Sequence, residues 1–225
     1  MPSSPTVTQF SDAAVDPPVR GFLHRAETPN GEGMVLTHGA GSNANAPLLV
    51  ALADAFSASG VTVLRCNLPY RQVRPYGPPG PGDAARDRLG LRNALDALRQ
   101  IASGRLVLGG HSYGGRQASM LCAENRDIAA ALLLLSYPLH PPRRPEQART
   151  QHLPKLNTPA LFVSGTRDPF GSIEEITQAL KLIPARTKLM IVDGAGHDLG
   201  FKGKATKPEL AGEIVQAVEE FFAIG

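Results

Sequence analysis

The residues Gly110-His111-Ser112-Tyr113-Gly114 set a serine between two glycines, each two positions away. A serine hydroxyl attacks a carbonyl only when it is exposed and a neighbouring base can take its proton. One way to expose it is a sharp turn between a strand and a helix. Such a turn strains the serine backbone and crowds its neighbours, so only very small residues fit on either side. The run before it, at 105–109 (RLVLG), reads as a strand, and the run after it reads as a helix whose N-terminus would favour developing negative charge. The bare G-x-S-x-G pattern is a modest signal; its position between strand and helix is what strengthens it. The alternative is a glycine-rich turn whose serine only caps a helix.

Such a serine needs an imidazole, and the chain has six histidines to choose from. On turns of this type the carboxylate and the histidine follow the serine in that order, each on a loop after a strand. His197 meets this condition. It lies in Val192-Asp193-Gly194-Ala195-Gly196-His197-Asp198, after the last strand-like run and among small residues that allow close approach. His24 is N-terminal, His140 and His152 fall in an irregular stretch, and His111 adjoins the serine but should point away from it on a tight turn. The carboxylate is expected in Gly165-Thr166-Arg167-Asp168-Pro169, just past the preceding strand. There Asp168 would hold the imidazole in the right tautomer. Asp193 and Asp198 are rivals that share a loop with His197 and would have to reach around; a turn-forming role for Asp168 is the other alternative.

Acyl chemistry also needs donors for an oxyanion. The strand at 33–37 runs into Thr37-His38-Gly39-Ala40-Gly41-Ser42-Asn43. A loop of this kind supplies one backbone N–H, assigned to Ala40, and the residue after the serine, Tyr113, supplies the second. His38 either braces this loop or joins the chemistry, and Asn43 and Asn45 either line a pocket or cap the next helix.

The elements that must hold these residues alternate along the chain. Strand-like runs lie at 33–37, 61–66, 105–109, 130–136, 160–164 and 188–192, mostly apolar throughout, which marks strands covered on both faces. Helical stretches lie at 46–59, 83–103, 114–124, 172–181 and 207–223. Asp83 is placed to cap the second, its leucines at 91, 95 and 98 have helical spacing, and Pro208 opens the last. This alternation predicts a mostly parallel central sheet of about six or seven strands with helices on both faces, with an antiparallel edge strand at 18–25. Residues 1–17 are expected to be a flexible N-terminal segment of a single domain spanning 1–225. The irregular stretches 67–82 and 138–158 are each too short for a domain, so no large cap is expected.

Composition sets outer bounds. The chain has 225 residues, 42% of them hydrophobic and 19% charged, with a net charge of +3, which fits a globular protein with a real core. The arginines are scattered, so nucleic acid is not expected as a partner. No apolar run is long enough to span a membrane and the first residues lack a secretory pattern, so a cytoplasmic location is expected. Cys66 and Cys122 are expected to be buried reduced thiols, and neither a metal nor a cofactor is expected.

With these motifs in order, the sequence resembles the α/β-hydrolase superfamily over nearly its whole length. More narrowly it resembles its small lidless, dienelactone-hydrolase-like group, which includes the hydrolase-like domain of a subunit of an animal histone-acetyltransferase complex. The narrower resemblance rests on Thr37-His38-Gly39-Ala40-Gly41, Arg65-Cys66-Asn67-Leu68-Pro69-Tyr70-Arg71, Gly110-His111-Ser112-Tyr113-Gly114-Gly115 and Tyr137-Pro138-Leu139-His140-Pro141-Pro142. True dienelactone hydrolases carry a cysteine nucleophile where this chain has Ser112, so the resemblance bears on the fold more than on the reaction.

The expected activity is cleavage of an ester- or thioester-type bond in a small acyl substrate by Ser112, Asp168 and His197. The alternative is a binding or scaffold protein that keeps the fold without turnover. Around the site, Tyr70, Arg71 and Arg74 either bind an anionic group on the substrate or belong to a proline-pinned loop with solvated arginines. Tyr137 and His140 either wall the pocket or pack a turn, and Phe170 and Phe201 are expected to supply apolar surface beside the aspartate and histidine loops. Oligomeric state is left open.

Overall fold

Strands with apolar side chains on both faces need cover above and below. The computed structural model, which describes residues 6–201 and 208–223, supplies that cover. Its strands are β1 (Thr6–Asp12), β2 (Val19–Arg25), β3 (Gly33–Thr37), β4 (Thr62–Cys66), β5 (Leu106–His111), β6 (Ala131–Leu135), β7 (Ala160–Gly165) and β8 (Thr187–Val192). The helices are α1 (Pro47–Ala58), α2 (Pro69–Val73), α3 (Asp83–Arg99), α4 (Tyr113–Glu124), α5 (Ile173–Leu180) and α6 (Pro208–Ala223). One sheet has the order β1-β2-β4-β3-β5-β6-β7-β8. The pairs β1–β2 and β2–β4 are antiparallel, and the other pairs are parallel.

The period-two rule divides the core. Val35, Leu64, Leu108, Leu134 and Phe162 point to one face and pack with Leu91, Leu95 and Leu98 of α3, Leu121 of α4 and Ile176 of α5. Their neighbours Met34, Leu36, Val63, Val107, Leu133 and Val163 point to the other, against Leu49, Leu52 and Phe56 of α1 and Leu210, Ile214 and Val218 of α6. Each fully buried leucine or phenylalanine here contributes roughly 1.5–3 kcal/mol through removal from water. The parallel strands send their carboxyl ends to one edge, where the loops after β3, β4, β5, β7 and β8 meet.

Three details differ from the sequence expectation. The sheet has eight strands rather than six or seven. The added one is β1, so residues 6–12 of the segment expected to be flexible are ordered as the sheet edge, and β2 lies one strand inside it; residues 1–5 lie outside the described residues. The stretch 67–82 is not wholly irregular, since it holds the short helix α2, with Pro69 at a first-turn position. Among the described residues no helix is long and apolar enough to cross a membrane, and no cluster of three metal-binding side chains occurs. Cys66 and Cys122 are free and buried, and burial pushes both thiols up to about 12, which keeps them protonated.

Candidate active site

Strand β5 ends at His111 and helix α4 begins at Tyr113, leaving Ser112 alone at the turn with φ 52° and ψ −117°. A side chain at positive φ costs roughly 1–3 kcal/mol, so its surroundings must hold it there. The Ser112 N–H donates to Leu135 O at 2.8 Å, and Arg116 N–H donates to Ser112 O at 2.9 Å. The flanking glycines follow from the same geometry. A Cβ on Gly110 would sit 2.5 Å from Gly115 N, and one on Gly114 would sit 2.5 Å from His38 O. Neither backbone could retreat without opening the turn.

The loop after β8 brings His197 to this serine. Its Nε2 lies 2.8 Å from Ser112 Oγ, while Nδ1 lies 3.0 and 2.9 Å from Asp168 Oδ1 and Oδ2. Asp168 is almost fully buried, at 3% side-chain exposure, and also accepts the Phe170 N–H at 2.9 Å. The Phe170 ring packs on the His197 imidazole with centroids 4.2 Å apart. Close approach of the two loops explains why β7 ends in glycine: a Cβ on Gly165 would meet Ala195 O at 2.3 Å. The rival carboxylates have other bonds, Asp193 accepting from Thr166 Oγ1 at 3.2 Å and Asp198 from Gly200 N–H at 3.1 Å.

The loop after β3 lies directly against the serine. A Cβ on Gly39 would be 3.0 Å from His111 Nδ1 and 3.3 Å from Ser112 Cβ, so Ala40 follows at the rim of the turn. Tyr113, as first residue of α4, has no carbonyl one turn back for its N–H. His38 is fully buried and braces this loop: Nδ1 donates to Gly39 O at 2.9 Å, and Nε2 accepts Leu68 N–H at 3.1 Å. Burial is the main reason its pKa falls to about 4, which leaves it neutral with one donor and one acceptor.

The pocket candidates bond within the protein itself. Arg71 is buried, and its guanidinium makes four hydrogen bonds, all to backbone carbonyls. They go to Ser42 at 2.7 Å, Ala40 at 3.1 Å, Gly77 at 2.7 Å and Arg74 at 3.0 Å. Tyr70 is also buried, with its hydroxyl donating to Ala40 O at 2.8 Å. Both therefore fasten the β3 loop from behind. Arg74 pairs with Asp83.

Tyr137 lies in the core against Phe162 with its hydroxyl on Arg149 O at 2.8 Å, which makes it a packing residue. His140 is likewise buried. Its Nδ1 donates to Pro141 O at 2.8 Å and its Nε2 lies 3.2 Å from Glu175, while its own N–H donates to Phe170 O at 3.0 Å. Burial lowers its pKa, but these two acceptors outweigh that and raise it overall. Phe201 is buried with the α6 face of the core.

Sequence reasoning set His111 aside and missed Asp87 altogether. His111 turns toward the base, donating from Nε2 to His197 O at 2.7 Å, with the two rings 5.1 Å apart. Asp87, fully buried in α3, accepts Tyr113 O–H at 2.8 Å and Tyr70 N–H at 3.0 Å. Burial raises the pKa of its carboxyl, against the pull of these two donors. A signal for it exists: position 87 falls four residues before Leu91, on the leucine stripe of α3, where an aspartate needs buried partners.

Comparison with known proteins gives a consistent picture. Residues 30–223 match the family model described as alpha/beta hydrolase domain. A Salmonella typhimurium protein that carries a provisional carboxymethylenebutenolidase name is 31% identical over 101 residues, covering 41% of this chain and 36% of that protein. The matched segment thus spans little more than a third of that relative's length. A dienelactone hydrolase from Anabaena variabilis superposes with a TM-score of 0.74 at 22% identity, covering 98% of both chains. A Xanthomonas campestris α/β serine hydrolase described as lacking a lid superposes at 0.68 and 15% identity, over 99% of this chain and 95% of that one. These similarities, over a mostly parallel eight-stranded sheet with helices on both faces, identify the chain as a member of the alpha/beta hydrolase domain family.

Proposed function

We propose that this protein is a serine hydrolase that cleaves an ester- or thioester-type bond in a small substrate. The observation that carries the reading is the unbroken run of hydrogen bonds from Asp168 through His197 to Ser112 Oγ. Ser112 Oγ attacks the carbonyl carbon as its proton passes to His197 Nε2. Asp168 keeps the Nδ1 proton in place and stabilises the imidazolium that forms. The N–H groups of Ala40 and Tyr113 receive the oxyanion. The imidazolium then gives its proton to the leaving alcohol or thiol as that bond breaks, leaving an acyl group on Ser112. Water attacks this acyl group, giving a proton to Nε2; the C–Oγ bond breaks, the acid leaves and the serine proton is restored.

A small substrate is supported by the connections above the sheet edge. Within the described residues, the stretch 138–158 carries only two short 3-10 turns, Pro145–Gln147 and Leu153–Lys155, and builds no cap. The test is turnover of a panel of p-nitrophenyl esters and acyl thioesters of increasing chain length. Short-chain turnover that is blocked by a fluorophosphonate and absent from Ser112→Ala is the expected result. Folded protein that neither turns over any member nor reacts with the fluorophosphonate would instead support a scaffold.

A further inference from the structure

The two proposed oxyanion donors belong to different loops, one after β3 and one at the start of α4, and their spacing must be held to a few tenths of an ångström to be useful. A single buried carboxylate ties both together. Asp87 Oδ2 accepts the Tyr113 hydroxyl at 2.8 Å, and Tyr113, the first residue of α4, carries one of the two proposed donors. Asp87 Oδ1 accepts Tyr70 N–H at 3.0 Å, and the Tyr70 hydroxyl reaches Ala40 O at 2.8 Å. Arg71, the next residue, adds a bond to the same carbonyl at 3.1 Å. The tyrosines touch edge to face, with ring centroids 5.9 Å apart, so the link is packed as well as bonded. Its base is firm too, because a Cβ on Gly90, one turn along α3, would sit 2.5 Å from Pro69 Cγ.

We propose that Asp87 is a positioning residue that sets the distance between the Ala40 and Tyr113 N–H groups through the chain Tyr113–Asp87–Tyr70–Ala40. It touches no substrate. The Ser112 proton already has its acceptor in His197, so the effect of Asp87 lies in stabilising the oxyanion. This rests on the serine-hydrolase reading above.

The test uses the full chain with Tyr113→Phe, Tyr70→Phe and Asp87→Asn, all close in volume to the originals. Acylation by a p-nitrophenyl ester is measured beside the affinity for a trifluoromethyl ketone, which forms an oxyanion on Ser112, and for a neutral amide analogue, which does not. Tyr113→Phe and Asp87→Asn are expected to lower kcat about tenfold to a hundredfold and weaken the ketone by a similar factor, with KM and amide affinity unchanged. The Tyr113→Phe/Asp87→Asn double variant should lose little more than either single one, and Tyr70→Phe should weaken the ketone in the same sense. Should Asp87→Asn fail to fold, Tyr113→Phe decides alone. Ketone and amide weakened alike, or thermal stability lost with kcat intact, would overturn the proposal. Wild-type protein unreactive toward fluorophosphonate would overturn the hydrolase reading itself, whereas a reactive wild type with indifferent variants overturns only the role of Asp87.

Discussion

The two sides of the candidate site are built by different means. On the side of β7 and β8, three side chains bond one another directly, and the one in the middle, His197, keeps 23% of its side chain exposed. On the side of β3 and α2, the proposed oxyanion donors are backbone N–H groups, and the side chains His38, Tyr70, Arg71 and Asp87 stand behind that loop, nearly or fully buried. Moving a proton needs groups that can turn and meet solvent. Stabilising an oxyanion needs dipoles already fixed before charge develops. The difference predicts that damage on the first side stops the chemistry and spares the fold, while damage on the second costs both.

The largest effect should come from Asp168→Asn. It keeps the shape but removes the charge that orients and stabilises the imidazolium, and kcat should fall roughly ten-thousand-fold. The asparagine keeps the volume and an oxygen for the Phe170 N–H, so the midpoint of urea unfolding measured alongside should move little by comparison. A loss of kcat below tenfold would break the contrast from the first side. Arg71→Met tests the second. With the carbonyls of Ser42, Arg74 and Gly77 losing their Arg71 donor and Ala40 O keeping only Tyr70, stability should drop by roughly 3 kcal/mol and kcat should fall with it. An intact fold with a raised KM confined to anionic substrates would instead return Arg71 to the substrate pocket.

A smaller effect comes from pH. The folded pKa of His38 is depressed from 6.5 to about 4, so the unfolded chain binds the extra proton between these values. Its contribution is fully present above pH 6.5, declines as pH falls and is exhausted near pH 4, a span worth about 3 kcal/mol. His152, also lowered to about 4 by burial and by Arg116 and Arg88, acts with the same sign. The raised carboxyl of Asp87 acts in the opposite sense. Urea unfolding at pH 4.5 and 7 should therefore show greater stability at pH 7. His38→Gln should reduce that difference; an unchanged slope would mean that the loop brace is not neutral in the folded state.

The same contrast explains what could be read in advance. Ser112, Asp168 and His197 each follow a strand-like run and sit among glycines, so local pattern gives them away, and the structure brings the three together. Tyr70, Arg71 and Asp87 act across 17 to 31 residues through bonds that leave no local pattern, and the proline-rich setting of α2 suggested a solvated loop. The fold was legible wherever strands bury both faces. Strand β1 was not, because its side chains are mostly exposed and it joins the sheet by backbone pairing to β2.

A serine hydrolase of this kind must pass through covalent chemistry at Ser112, and acid-quenching the protein during ester turnover tests that directly. Intact mass followed by peptide mapping should show one acyl group, carried by the peptide containing Ser112 and missing when His197 is replaced by alanine. Steady turnover with no acylated protein, or with the acyl group on a different residue, would contradict it.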